Sequence, residues 1–278
     1  MPGNRDRHIL SKRHGSTVYR LKRGGRSVVM KCFSAEADKV EIEAYKLLME
    51  QGIPLLPVHS VTPTAIILED LADSDDWRLA AEADVEKQDV GAAVARWYRL
   101  LHEAGFRLTA SRNPPAFLKR ECDDLTSESV HATGHKLSLA GNAVWKLSAD
   151  HIEDMKQAFR EFPETLNYND FHWTNLALSR SEPLKAVVFD YHLLGIGPAY
   201  CDVRNILGSL GEAAGGAFLA EYGHVDEGPK VLDAPLSVLY SLTVAAGMDL
   251  RPKWVEGCIR CASSGELERL ILAAISAI

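Results

Sequence analysis

The chain has 278 residues, 46% hydrophobic and 25% charged, which excludes collagen-like and disordered classes and suits one large domain or two lobes sharing a cleft. Its longest apolar runs, such as 64–68, are far too short to span a bilayer, and residues 1–7 lead into no apolar signal segment, so a cytoplasmic location without a membrane partner is expected. The net charge of −7 is uneven: residues 1–31 hold nine Lys or Arg (Arg5, Arg7, Lys12, Arg13, Arg20, Lys22, Arg23, Arg26, Lys31) against Asp6 alone, leaving −15 for the other 247 residues.

The first third reads as strands and turns. Residues 15–21 form a small-residue loop entering a β-prone run, Arg23-Gly24-Gly25-Arg26 is a hairpin turn, and residues 27–33 return as a strand. A helix is predicted over 35–51, where Val40, Ala44, Leu47 and Leu48 recur at helical spacing and Gly52 ends the run. Pro54 and Pro57 mark a loop before a buried strand at 65–68. Residues 84–104 are strongly helical, with Val90, Val94, Trp97, Leu100 and Leu101 on one face and Gly105 as the expected C-cap. Residues 107–148, with Asn113-Pro114-Pro115, are uneven and hold two helices, and another helix is expected over 149–162. Short β-prone segments follow at 166–168, 176–179 and 186–189, and the chain from Cys201 is mostly helical with a break around 223–235.

Five cysteines at positions 32, 122, 201, 258 and 261 do not make a disulfide framework. Cys258-x-x-Cys261 has metal or redox spacing but no second pair, so two small buried side chains on a helix are expected. The basic first 31 residues could meet phosphates. The acidic remainder argues against a nucleic-acid partner and for a cationic one.

The chemistry concentrates between 166 and 202. Asn169-Asp170-Phe171-His172-Trp173-Thr174-Asn175 lies between β-prone segments, and Ala186-Val187-Val188-Phe189 delivers Asp190 at a strand end. Phosphoryl transfer asks a protein mainly for positioning and charge neutralisation. One carboxylate must orient the acceptor and take its proton, while an amide oxygen and a second carboxylate hold Mg²⁺ against the phosphates. Asp170, Asn175 and Asp190 supply that set.

This run resembles the catalytic and metal-binding loops of the aminoglycoside phosphotransferase and choline-kinase-like family, whose fold is protein-kinase-like. The resemblance implies an α+β, two-lobed fold: a β-rich nucleotide-binding lobe over 1–70 and a larger, mainly helical lobe over 71–278 with the catalytic and metal loops and the acceptor site. It implies a small-molecule kinase using ATP and Mg²⁺, with Asp170 catalytic and Asn175 and Asp190 as metal ligands. Lys31, after Val28-Val29-Met30, matches the lysine that grips the phosphates. Glu43, in Glu43-Ala44-Tyr45, matches the helix glutamate that pairs with it, in preference to Glu41. Gly15, Ser16 and Thr17 match the nucleotide loop, and Glu69 and Leu71 the hinge whose backbone meets adenine. Leu101-His102, the run 197–202 ending in Asp202, and Phe218-Leu219-x-x-Tyr222 resemble further family elements. Two positions depart: Tyr168 stands where the family has His, with altered packing expected, and the nucleotide loop lacks a full G-x-G-x-x-G.

The resemblance allows an antibiotic acceptor, or a metabolite such as choline, ethanolamine, homoserine or a sugar. The acidic remainder favours a cationic acceptor, and an antibiotic is the first expectation. A kinase-like binding protein without turnover stays as a second class. Taken singly, Lys31 could be an edge-strand lysine, Glu43 a surface glutamate, and Ser16-Thr17 a mere turn. His172 and His102 read as structural, Glu121, Asp123 and Asp124 as a solvated helix face, and Trp254 and the methionines as core. Acceptor identity, ATP over GTP preference and oligomeric state leave no signature in the chain.

Overall fold

The computed structural model describes residues 7–13, 15–23, 25–110, 114–139 and 141–278. Arg5, Asp6, Gly24 and Asn113, each part of an expectation above, lie outside the described residues. The architecture is mixed: a small antiparallel sheet comes first and a larger helical part follows.

The strands β1 (Arg7–Arg13), β2 (Ser16–Arg23) and β3 (Arg26–Phe33) precede helix α1 (Val40–Glu50), then β4 (Val58–Val61) and β5 (Ala65–Glu69). They form one five-stranded sheet in the order β1-β2-β3-β5-β4, with every pairing antiparallel. β3 is therefore interior, and Lys31 lies between Val18 and Ile66 in register. The edge-strand reading of Lys31 is thereby excluded.

Next come β6 (Trp77–Leu79), α2 (Gln88–Ala110), α3 (Ser127–Lys136), α4 (Val144–Phe159), β7 (Thr165–Asn167), β8 (Leu176–Ser179), β9 (Ala186–Val188) and β10 (Gly195–Gly197). The chain ends in α5 (Ala199–Leu207), α6 (Glu212–Tyr222), α7 (Lys230–Ala246), α8 (Val255–Ser263) and α9 (Glu266–Ile275). Strands β6, β8 and β9 make a three-stranded antiparallel sheet.

Helix α2 runs through Gly105 rather than stopping there. A Cβ on Gly105 would lie 2.1 Å from the Leu166 nitrogen and 2.2 Å from Thr165 Oγ1. The glycine thus serves close approach of the helix to β7, not capping. Helix α4 starts five residues earlier than predicted, because Val144, Trp145 and Ser148 extend its buried stripe at helical spacing. Pro235 sits inside α7 rather than in a break; as the sixth residue of the helix it removes one intrahelical N–H donor, and its side chain is buried among the inward positions.

Two compact units emerge. One comprises Met1–Leu118, Thr165–Gly195 and Asp202–Val225; the other comprises Lys119–Glu164, Ile196–Cys201 and Asp226–Ile278. The first is backed by aromatic rings in edge-to-face contact: Tyr45 on Tyr191, Tyr191 on Tyr168, and Tyr168 on Trp97 and Tyr98. The second is an all-helical core in which Leu125, Ile152, Leu239, Leu242 and Ile271 are almost fully buried. Cys261 is buried there and Cys258 half-buried, both on α8 and neither in a disulfide. Trp254, Met49 and Met248 are about half exposed, against the expectation of core positions, whereas Met155 is fully buried. Trp254 immediately precedes α8, where Val255, Cys261 and Ala262 take the inward positions. No helix among the described residues is long and apolar enough to cross a membrane.

Candidate active site

The first unit assembles the polar residues. Lys31 projects from the interior strand β3, and its Nζ donates to Glu41 Oε2 at 2.5 Å and to Asp190 Oδ1 at 2.7 Å. Burial alone would lower the ammonium's pKa, but the charges of Glu41 and Asp190 and the hydrogen bonds to both raise it, so Lys31 is a fixed cation.

The partner on α1 is Glu41, not Glu43 as the sequence pattern suggests. Helix phase gives the reason: Glu41, Ala44, Tyr45 and Leu48 form an i, i+3, i+4, i+7 stripe and are all buried. Glu43 lies about 200° around from Glu41, is half exposed, and accepts from Lys46 instead.

Asp190 follows β9 with a left-handed backbone, φ 69°. That conformation is uncommon outside glycine, and such residues cluster at functional sites. His192, two residues on, places Nδ1 3.0 Å from the same Oδ1 that Lys31 takes. Burial pushes Asp190 up, but the His192 hydrogen bond and the charge and hydrogen bond of Lys31 prevail and hold it well below the usual carboxylate range. The hydrogen bond to Asp190 in turn raises His192.

The loop after β7 carries Asp170. Asn169 before it is left-handed, φ 64°, a conformation asparagine tolerates. Its backbone N–H and that of Tyr168 donate to Asp202 at 2.9 and 2.8 Å, and His102 Nε2 lies 3.2 Å from the same carboxylate. His102 Nδ1 meets the Tyr222 hydroxyl at 2.7 Å, so buried Asp202 and His102 and half-buried Tyr222 form one brace for the loop. Tyr168 is fully buried, and its hydroxyl donates to the Phe189 carbonyl at 2.5 Å, joining the Asp170 loop to the residue before Asp190.

Asn175 Nδ2 donates to Asp170 Oδ2 at 2.8 Å. Burial, aided by the charge of Asp190, raises Asp170 above the ordinary aspartate value, which makes it the better proton acceptor. His172 is exposed; its Nδ1 meets the Thr174 hydroxyl at 2.8 Å and accepts from the Thr174 N–H, capping the short turn that delivers Asn175.

These donors suit a hard cation. Asp190 stays ionised with both recorded bonds on Oδ1, and Asn175 spends its amide nitrogen on Asp170, leaving an amide oxygen. Mg²⁺ is characteristically held by few protein oxygens together with substrate phosphates. Among the described residues there is no cluster of three or more His, Cys, Asp or Glu of the kind that would make an all-protein cage.

Gly15, Ser16 and Thr17 lie at the β1–β2 turn and the start of β2, with Gly15 at φ 81° and its carbonyl accepting from the Ser34 N–H at 2.8 Å. Thr17 pairs with Cys32, next to Lys31. Glu69 ends β5; its N–H donates to the Pro57 carbonyl and its carboxylate meets His59. Leu71 is half-buried just beyond. Between them Asp70 is buried and bound by the Arg20 guanidinium and the Ser27 hydroxyl, which ties this segment to β2 and β3.

Sequence reasoning missed Glu41, His192 and Asp70. The buried stripe of α1 could have signalled Glu41. The other two acquire their partners only through folding.

The model of the phosphotransferase enzyme family APH matches residues 7–235. Among solved structures, the choline kinase LicA from Streptococcus pneumoniae aligns with a TM-score of 0.61 at 12% identity, covering 96% of this chain and 94% of that one. Plasmodium vivax ethanolamine kinase aligns with a TM-score of 0.58 at 12% identity, covering 98% and 81%. The macrolide 2'-phosphotransferase MphH from Brachybacterium faecium aligns with a TM-score of 0.57 at 12% identity, covering 92% and 91%. These likenesses establish a shared kinase-like fold. Comparison by sequence with curated proteins finds no match.

Proposed function

The chain belongs to the APH phosphotransferase enzyme family, and from that premise we propose that it transfers the γ-phosphate of ATP to a hydroxyl or amine of a small cationic molecule, an antibiotic-type acceptor first. The observation that carries this reading is the Lys31 ammonium held between Glu41 and Asp190 in the unit that also presents Asp170 paired with Asn175.

In this reading residues 1–70 serve the nucleotide, and 71–278 supply the catalytic and metal loops and the acceptor site. The backbone at Glu69 and Leu71 meets adenine, while Gly15, Ser16, Thr17 and Lys31 face the phosphates. Asn175 and Asp190 would hold Mg²⁺, which when bound supplies neutralisation of phosphate charge. Asp170 orients the acceptor. As the acceptor's lone pair bonds to the γ-phosphorus and the bond to the β-bridging oxygen breaks, Asp170 takes the acceptor's proton and ADP leaves.

Solved structures of a spectinomycin phosphotransferase with ADP and of LicA with AMP share this fold, which supports nucleotide use. The cationic preference rests on the acidic balance of the chain beyond residue 31.

The test is Mg²⁺-dependent ADP release from ATP with a panel of cationic antibiotics and small metabolic alcohols, with Asp170→Ala and Asp190→Ala as controls. Stimulation by one acceptor, lost in both variants while circular dichroism shows them folded, is expected. Nucleotide-stabilised protein that no acceptor turns over favours a binding protein, and a fully active Asp190→Ala enzyme overturns the mechanism.

A further inference from the structure

Outside the candidate active site the first unit contains a cavity of about 480 Å³, within the roughly 300–1,000 Å³ typical of small-molecule sites. Its walls come from the loop after α1, from β6 and α2, and from the turn joining β8 to β9. Trp77, Trp97, Leu55, Leu100, Pro183 and Val187 give it an apolar interior.

Two hydrogen bonds tie the walls together. Trp97 Nε1 donates to the Pro54 carbonyl at 2.7 Å, and Arg96 donates to the Leu184 carbonyl at 3.1 Å. Leu100, predicted for the buried face of α2, is instead 45% exposed. It lines the cavity, so its exposure is that of a site wall and not of a misplaced core residue.

Charge selects the occupant. The cavity is lined by no acidic residue, and its two ionisable groups, Arg96 and Lys185, are both cations. The Arg96 guanidinium is shared with Glu221 at 3.4 Å, but Glu221 also meets Arg99, while Lys185 is exposed. An apolar body with one anionic end therefore matches the lining, with its tail against the tryptophans and its head toward Lys185 and Arg96.

We infer that this cavity, framed by α2 and the β8–β9 turn, binds a small apolar carboxylate of the medium-chain fatty-acid or aryl-acid kind. The lining includes none of Lys31, Glu41, Asp170, Asn175 or Asp190, and the inference is independent of the proposed phosphotransfer. It abuts β9, the strand that leads to Asp190.

The experiment titrates the full chain with decanoate below its micelle concentration, followed by tryptophan fluorescence and calorimetry. Decylammonium serves as the control with the same tail and opposite charge. Saturable decanoate binding is expected, with decylammonium at least about tenfold weaker. Leu100→Glu places a carboxylate at an already exposed wall position and should weaken decanoate by about tenfold or more, and Lys185→Glu by several-fold. Melting temperature and circular dichroism establish that both variants fold, and Lys185→Glu, at an exposed position on the rim, stands alone if Leu100→Glu does not. Non-saturable uptake, equal binding by folded variants, or equal affinity for decylammonium overturns the proposal.

Discussion

In the unit that carries Lys31 and Asp190, buried polar groups form continuous chains, whereas the unit of α3, α4, α7, α8 and α9 is ordered chiefly by aliphatic side chains. The first unit buries Glu41, Asp70, Asp84, His102 and Asp202, and each has a charged or hydrogen-bonded partner. The second is built around Leu125, Ile152, Leu239, Leu242 and Ile271, with buried Lys156 donating to the Leu125 carbonyl as a local polar tie. The difference teaches where specificity resides. Aliphatic packing tolerates exchange if volume and pattern are kept, while a buried charge fixes its partner because an unpaired charge is so costly.

The sharpest way to break this contrast lies on α1. Glu41→Gln removes one charge from the Lys31 pair and should lower kcat/KM of the phosphotransferase by about ten- to a hundredfold, as expected when a charge-assisted hydrogen bond worth about 1.5–3 kcal/mol is weakened. Glu43→Gln, on the solvent side, should leave the rate within about twofold, in keeping with the small energies of exposed helix pairs. Steady-state kinetics of both variants decides the assignment, and equal losses would return the role to Glu43 or to neither.

The helical unit offers the converse test. Leu239→Ala truncates a side chain that is 1% exposed and should destabilise by about 3 kcal/mol in chemical denaturation. Activity per folded molecule should stay unchanged. A fall in kcat at full folding would show that the aliphatic core also sets the site.

The smallest effect is a pH dependence in the polar unit. Asp84 is bound by Arg78 through two hydrogen bonds, and its own side chain accepts the Ala81 N–H and meets Lys87. The bond from Arg78 leads in holding its pKa well below the unfolded aspartate value, against the opposing effect of burial. A depressed folded pKa stabilises above the unfolded value of about 3.9 and loses that contribution as pH falls through the folded one. Asp84→Asn should therefore cost about 2 kcal/mol at neutral pH, and the gap from the native chain should close on acidification below about pH 4. Urea melts at neutral pH and at about pH 3 measure it; a gap that widens in acid would contradict the sign.

By itself the sequence specified the order of chemical groups: a strand lysine, a glutamate-bearing helix, the Asp170–Asn175 loop and the strand-terminal Asp190. Those features are local, since a few adjacent residues set a turn, a strand end or a helical stripe. Strand β1, the short strands β4, β6 and β10, and the passage of α2 through Gly105 were not legible, because short strands need partners and a helix glycine's neighbour comes from 60 residues downstream. The phase of α1 already pointed to Glu41, but only the tertiary structure decided that Lys31 lies between it and Asp190, that His192 shares Asp190, and that Tyr168 ties the two loops. The Lys31–Asp190 pair spans 159 positions, and no local pattern encodes a contact of that range. It is fixed by burial, which makes each charge seek whichever opposite charge the packed helices and strands bring within reach.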